Sequence, residues 1–188
     1  ASLETTQRLL QLSPDDPEYK HDLLVTMNRL GDAQYALGDN KGAAESFKAM
    51  VAQGSALMDI DPYSTDWAND LGLALERLGN AQLALGDVAA ALKSHQDALA
   101  LRDWLVNQDP SNAGWYRNLA LSQASVAEVL SAREDYEGAL PYQDESLRII
   151  VNGEFYDFER IRRELEARGH RFRTKSDSEI ALHLYEDV

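Results

Sequence analysis

A 48-residue period runs through the first 150 residues without an insertion. Asp22, Leu23, Leu30, Gly38, Asp39 and Ala43 return as Asp70, Leu71, Leu78, Gly86, Asp87 and Ala91. Pro14, Pro62 and Pro110 keep the same step, and so do the aromatics Tyr19, Trp67 and Trp115. A third copy follows in register, with Leu119, Val126, Ala127, Asp135 and Ala139 in the places of Leu71, Leu78, Gly79, Asp87 and Ala91. Such a period means stacked supersecondary units, each unable to bury its apolar face without its neighbours. The usual work of such a stack is binding other proteins. Leu9 aligns with Leu57 and Leu105, so residues 1–12 read as the tail of a helix whose front is missing, as in an excerpt.

Within one unit the pattern predicts two helices joined by a tight turn. Leu71, Leu75, Leu78 and Leu85 keep three- and four-residue spacing, which lines one face of a helix. Gly86 supplies the positive φ that closes that helix, and Asp87 can cap the next. The second helix carries Ala90, Ala91, Ala98, Leu101 and Leu105 and ends near Asp109-Pro110, which proline cannot continue. Ser111-Asn112, or Ser64-Thr65-Asp66 one unit earlier, then offer N-caps. Tyr19, Trp67 and Trp115 read as packing residues at the start of each first helix, stapling the incoming loop to the neighbouring unit.

Charge narrows the partners. Residues 1–150 carry 11 Lys and Arg against 23 Asp and Glu, whereas the last 38 residues carry 7 against 9. An acidic repeat surface disfavours nucleic acid and anionic lipid, and beyond keeping the array soluble it suits a basic or polar peptide. The absence of cysteine excludes disulfides, thiolate metal sites and a cysteine nucleophile within these residues. His21, His95, His170 and His183 are scattered without metal-ligand spacing, so no metal or cofactor is expected. With no signal-peptide pattern and no apolar run long enough to span a bilayer, the default expectation is a cytoplasmic protein.

The core of each unit resembles a tetratricopeptide repeat, through Leu30-Gly31, Gly38, Ala43 and Phe47 in the first copy and Leu78-Gly79, Gly86, Ala91 and Ala98 in the second. The resemblance implies a mainly α fold, a right-handed α-solenoid of antiparallel helix hairpins over residues 1–150. The departures are informative. The family's usual unit is 34 residues, and the longer period here adds about two helical turns to each helix. Ser55 stands where a helix-ending proline is expected, and the third copy has Ala127 for Gly79 and Glu134 for Gly86. In that family the first helices line a concave groove holding an extended peptide or a partner's helix. Carried over, the groove positions are Asn28, Asp32, Glu76, Asn80 and Glu128, polar residues in otherwise apolar helices that could equally be plain solvent-facing positions. An acidic, amide-rich groove favours a ligand that donates hydrogen bonds, such as backbone amides flanked by Lys or Arg.

After Ile150 the period stops, and Asn152-Gly153 is a turn signal. Residues 151–188 read as a short αβ segment: strand, a helix from Glu159 to Arg168 closed by Gly169, extended chain over His170 to Thr174, and a helix opened by the Ser176/Glu179 capping box. This segment resembles a stretch of the glutaminase domain of asparagine synthetases, the class II glutamine amidotransferases. The likeness rests on Asn152-Gly153-Glu154 with Tyr156, Arg163-Glu164-Leu165, Gly169-His170-Arg171-Phe172, Ser176-Asp177-Ser178-Glu179 and Leu182-His183-Leu184-Tyr185. It implies that Asn152 and Gly153 belong to an oxyanion hole and that Glu154 and Asp177 hold glutamine, amide donors and carboxylates being suited to those tasks. The family's nucleophile is an N-terminal cysteine, which this sequence lacks, so no thioester can form and no enzyme activity is expected. Three fates are open to the segment: packing on the end of the solenoid as a cap, pairing with a second copy in a homodimer, or staying disordered. The reading is an interaction scaffold, with an incomplete component of a glutamine-dependent amidotransferase as its rival.

Overall fold

Each unit begins where a side-chain oxygen can satisfy the orphan amides of a helix start. In the computed structural model, which describes residues 5, 8, 11–13, 16–154, 163 and 166–171, six long helices follow one another. They are α1 (Pro17–Ala36), α2 (Asn40–Ile60), α3 (Thr65–Ala84), α4 (Val88–Gln108), α5 (Ala113–Ala132) and α6 (Tyr136–Glu154). Asp16, Ser64 and Asn112 cap α1, α3 and α5, accepting from the amides of Glu18, Trp67 and Trp115. Asp39, Asp87 and Asp135 do the same for α2, α4 and α6, each bonding an amide three residues on at 2.9–3.2 Å. Such a cap contributes about 1 kcal/mol.

The hairpin turns are as regular as the caps. The amides of Asp39, Asp87 and Asp135 donate back to the carbonyls of Gln34, Gln82 and Leu130 at 2.9–3.0 Å, which requires a left-handed residue just before each. Gly38 and Gly86 supply it at φ +80°, and in the third turn Glu134 is forced to φ 62°. Side-chain Cβ clashes make that conformation cost about 1–2 kcal/mol for a non-glycine residue.

The principal contacts join each helix to its sequence neighbours, from α1·α2 through to α5·α6. This is an α-solenoid of antiparallel hairpins, and its core is spread along the stack instead of gathered in one centre. One cluster joins α1, α2 and α3 through Leu24, Phe47, Met50, Leu57, Ala74 and Leu78. Others follow at Leu71, Leu75 and Ala98, at Val106, Leu119 and Ala120, and at Val126, Ala127, Leu130 and Ala139. Trp67 packs half-buried against the cluster of Leu24 and Phe47, and Trp115 against that of Val106 and Leu119, which suits their stapling role. Small residues set the spacing within hairpins. A Cβ on Gly31 would lie 2.5 Å from Phe47 Cε1, and one on Gly79 would lie 2.7 Å from His95 Nε2.

Ser55 lies inside α2, which continues to Ile60 without a proline to stop it, in keeping with the longer helices that the 48-residue unit predicts. Three expectations need amending. Leu85 does not join the buried stripe of α3, because it is the half-exposed C-cap residue. Asn152-Gly153 is helix and not a turn, so the 150/151 boundary falls within α6. The repeat explains this: α2 and α4 end at Ile60 and Gln108, equivalent to position 156, and each further helical residue gains a hydrogen bond that offsets the poor propensity of Asn and Gly. Finally, the described residues contain no strand, and His170 and Arg171 have no regular structure. A short helix is present at Arg163, Glu166 and Ala167, closed by Gly169 at φ +101°. Tyr156, Asp157, Thr174, the Ser176/Glu179 box and Asp177 lie outside the described residues.

Candidate functional site

The outward stripe of α3 carries Asn69, Leu73, Glu76, Arg77 and Asn80 at helical spacing, and α5 faces it with Asn118 and Leu121. Between them lies an open cavity of about 340 Å³, with Arg102 of α4 at its floor. A second cavity of about 580 Å³ shares Asn69, Asn118 and Leu121 and extends toward the helix starts at Thr65 and Asn112. The two make one trough along the first helices. Leu121 is 54% exposed, an apolar side chain held open to solvent within an amide-rich wall.

The floor is built from a charge that has been fully compensated. Arg102 is 2% exposed. Its Nε and Nη2 donate to Glu76 Oε1 and Oε2 at 2.9 and 3.2 Å, and Nη1 donates to Asn69 Oδ1 at 2.6 Å. Ser122 of α5 donates to the same Glu76 Oε1 at 2.8 Å. A planar guanidinium suits this bidentate arrangement, and without its partners a buried charge of this kind would be strongly unfavourable. Gly72 makes the space, since a Cβ there would be 3.0 Å from Arg102 Cζ. In the first unit the same positions are Leu24 and Gly54, so the large and small members are exchanged.

Beside this floor sits His95, 1% exposed, at the position Phe47 holds one unit earlier. Its Nδ1 has no hydrogen-bond partner. Burial lowers its pKa below the usual imidazole range, opposed by the charges of Glu76 and Glu128. At the other end of α3, His21 Nδ1 lies 3.3 Å from Asp70 Oδ2, tying α1 to α3. Burial raises the Asp70 carboxyl pKa, and His21 works against that rise.

The five expected groove residues are not brought into one site. Asn80 is exposed in the trough, and Glu76 shares its cavity but is engaged by Arg102 and Ser122. Asp32 lies 3.4 Å from Arg77 Nε, close enough for charge attraction but without hydrogen-bond alignment. Asn28 has its Oδ1 buried without a hydrogen-bond partner, and Glu128 is exposed and lines neither cavity. Asn69, Arg77, Arg102, Asn118 and Leu121 were not anticipated. Aligning the copies carries the signal for Arg102, because an arginine replaces Gly54 just where a glycine replaces Leu24. Asn152, Gly153 and Glu154 lie in the last turn of α6, and Asp177 falls outside the described residues. Among the described residues no group of three or more His, Asp or Glu is placed to hold a metal, and no helix is long and apolar enough to cross a membrane.

Comparison with known proteins finds two kinds of likeness. Asparagine synthetase [glutamine-hydrolyzing] 3 of Bacillus subtilis (strain 168) is 49% identical over 47 residues, 25% of this chain and 8% of that relative. The probable asparagine synthetase of Dictyostelium discoideum is 51% identical over 53 residues, 27% of this chain and 10% of that relative. The chain thus matches about a tenth of the length of these curated relatives. Among solved structures, the crystal structure of MamA protein aligns with 71% of this chain and 94% of its own at 17% identity, with a TM-score of 0.19. At that score the fold rests on the helices described above. The glutamine amidotransferase domain pattern matches residues 85–188, and the described residues of that span form α4, α5 and α6 with their turns and a short helix. Because that match takes in more than half of the sequence, the chain belongs to the glutamine amidotransferase domain family.

Proposed function

We propose that the helical array, residues 1–150, is a protein-interaction scaffold that holds an extended peptide of a partner in the trough between α3 and α5. The observation that carries this reading is the trough's composition: Asn80 and Asn118 in its wall, Leu73 and Leu121 among them, and a floor already neutralised by the Arg102–Glu76 pair. A primary amide offers one donor face and one acceptor face, which matches the N–H and C=O of an extended backbone. Leu121 supplies apolar area for a side chain, and a net charge of -14 steers a peptide carrying Lys or Arg toward the array. Because Glu76 is structural, its charge is not the recognition element; Asp66, exposed and lining the second cavity, remains for that. Replacing Asn80 and Asn118 together by Ala should weaken capture of peptides from a tiled basic peptide array about tenfold or more, for two lost hydrogen bonds, with helicity by circular dichroism unchanged. Undiminished capture would reject the trough as the site.

The family match favours a second reading, in which residues 151–188 act as an incomplete component of a glutamine-dependent amidotransferase, with Asn152, Gly153, Glu154 and Asp177 meeting glutamine. Helical geometry at 151–154 speaks against it, since helix amides point to carbonyls four residues back and not to a ligand. Calorimetry with glutamine separates the two: the scaffold reading expects no binding heat.

A further inference from the structure

We propose that the outward face of α6 is the docking site for the chain's own basic segment, residues 159–175, which takes the place of a next first helix. The repeat itself identifies the face. Leu92 and Leu99 of α4 pack on the clusters formed with α5, and their counterparts in α2, Ala44 and Val51, pack on the cluster formed with α3. One unit later the same positions are Leu140 and Leu147, which are 54% and 61% exposed. The inward face of α6 is committed to α5 through Ala139 and through Ser146, whose hydroxyl donates to the Ala120 carbonyl at 2.9 Å. An apolar stripe of second-helix design is therefore uncovered.

Its charge specifies the occupant. Lys41 and Lys48 of α2 align with Glu137 and Asp144 of α6, both exposed beside Leu140 and Leu147. The stripe has exchanged a basic rim for an acidic one. Residues 159–175 hold seven Lys and Arg against three Asp and Glu, and all the basic residues that follow Arg148 fall there. A second array would instead bring more acid to an acidic face. The segment is also near in sequence, beginning five residues after Glu154. Arg163, Glu166 and Ala167 are helical and Gly169 closes the turn at φ +101°, so the segment has helix to offer, and its sequence carries the apolar Ile161 and Leu165. A short tether gives such a contact a high effective concentration.

Hydrogen exchange of the full chain tests this, comparing the wild type with Leu140→Asp/Leu147→Asp and with Glu137→Lys/Asp144→Lys. Exchange across residues 159–171 should accelerate about tenfold in both variants while protection in α1 to α5 stays unchanged. The charge variant alters no buried residue and keeps the test valid if the leucine variant loses α6. Equal exchange in wild type and charge variant would overturn the proposal. So would protection of residues 159–171 that rises with protein concentration, which would assign the face to a second copy.

Discussion

The second and third units run the same backbone course around different polar content, and the difference separates what the repeat needs from what it can spare. In the first two units the hairpin is clipped by a hydroxyl, Ser46 to Gln34 and Ser94 to Gln82 at 2.6–2.7 Å. The third unit has Tyr142 and Leu130 there, which pack as hydrocarbon. Gly79 presses on His95 in the second unit; in the third Ala127 has acquired a Cβ and Gln143 has moved out to solvent. The aspartate cap and the returning amide are kept in every unit, even where Glu134 must take the left-handed turn. Turn and cap define the unit, and the polar interior is where the second one differs.

The largest effect should come from the interior of the second unit. Arg102→Met removes the donor of Asn69 and leaves Glu76 with only the Ser122 hydroxyl, and should cost roughly 3 kcal/mol in urea unfolding, the low end for a buried pair because Glu76 keeps that bond and some solvent access. Adding Glu76→Gln should recover part of the loss, and no recovery would mean the guanidinium acts by packing alone. Next, Gly79→Ala should cost about 1–3 kcal/mol by overpacking against His95, a change the third unit already tolerates at Ala127.

His95 gives a smaller effect that depends on pH. Its folded pKa lies below the ordinary value of about 6.5, so the unfolded chain binds the proton more readily. Stability is full above that value and falls as the pH drops through it. His95→Phe, which copies the first unit, should flatten the decline in melting temperature, and an unchanged slope would assign it to other groups. Smallest of all, Glu134→Gly should stabilise by about 1 kcal/mol by relieving a left-handed glutamate. No gain would mean the third turn is not held as Gly38 and Gly86 hold theirs.

The period, the caps and the turns were legible in the sequence because each depends on a residue type acting within its own neighbourhood. Asp87 and Gly86 do their work within a few residues of themselves. The groove was only half legible. Asn80 could be placed by aligning copies, but Glu76 looked equally available until Arg102, 26 residues on, was seen to occupy it. Position in a helix fixes which face a side chain takes, not which partner it meets there. The Asn152-Gly153 turn was misread for the opposite reason: a local signal was outweighed by a helix whose register the repeat had already set.

The most direct test of the account is a nuclear magnetic resonance titration of the full chain with a basic, extended peptide selected from a tiled array. The account predicts shift changes concentrated at Asn69, Asn80, Asn118 and Leu121, with α2 and the outward side of α4 unmoved. Changes centred on the second helices, or on residues 152–154 with the trough silent, would contradict it.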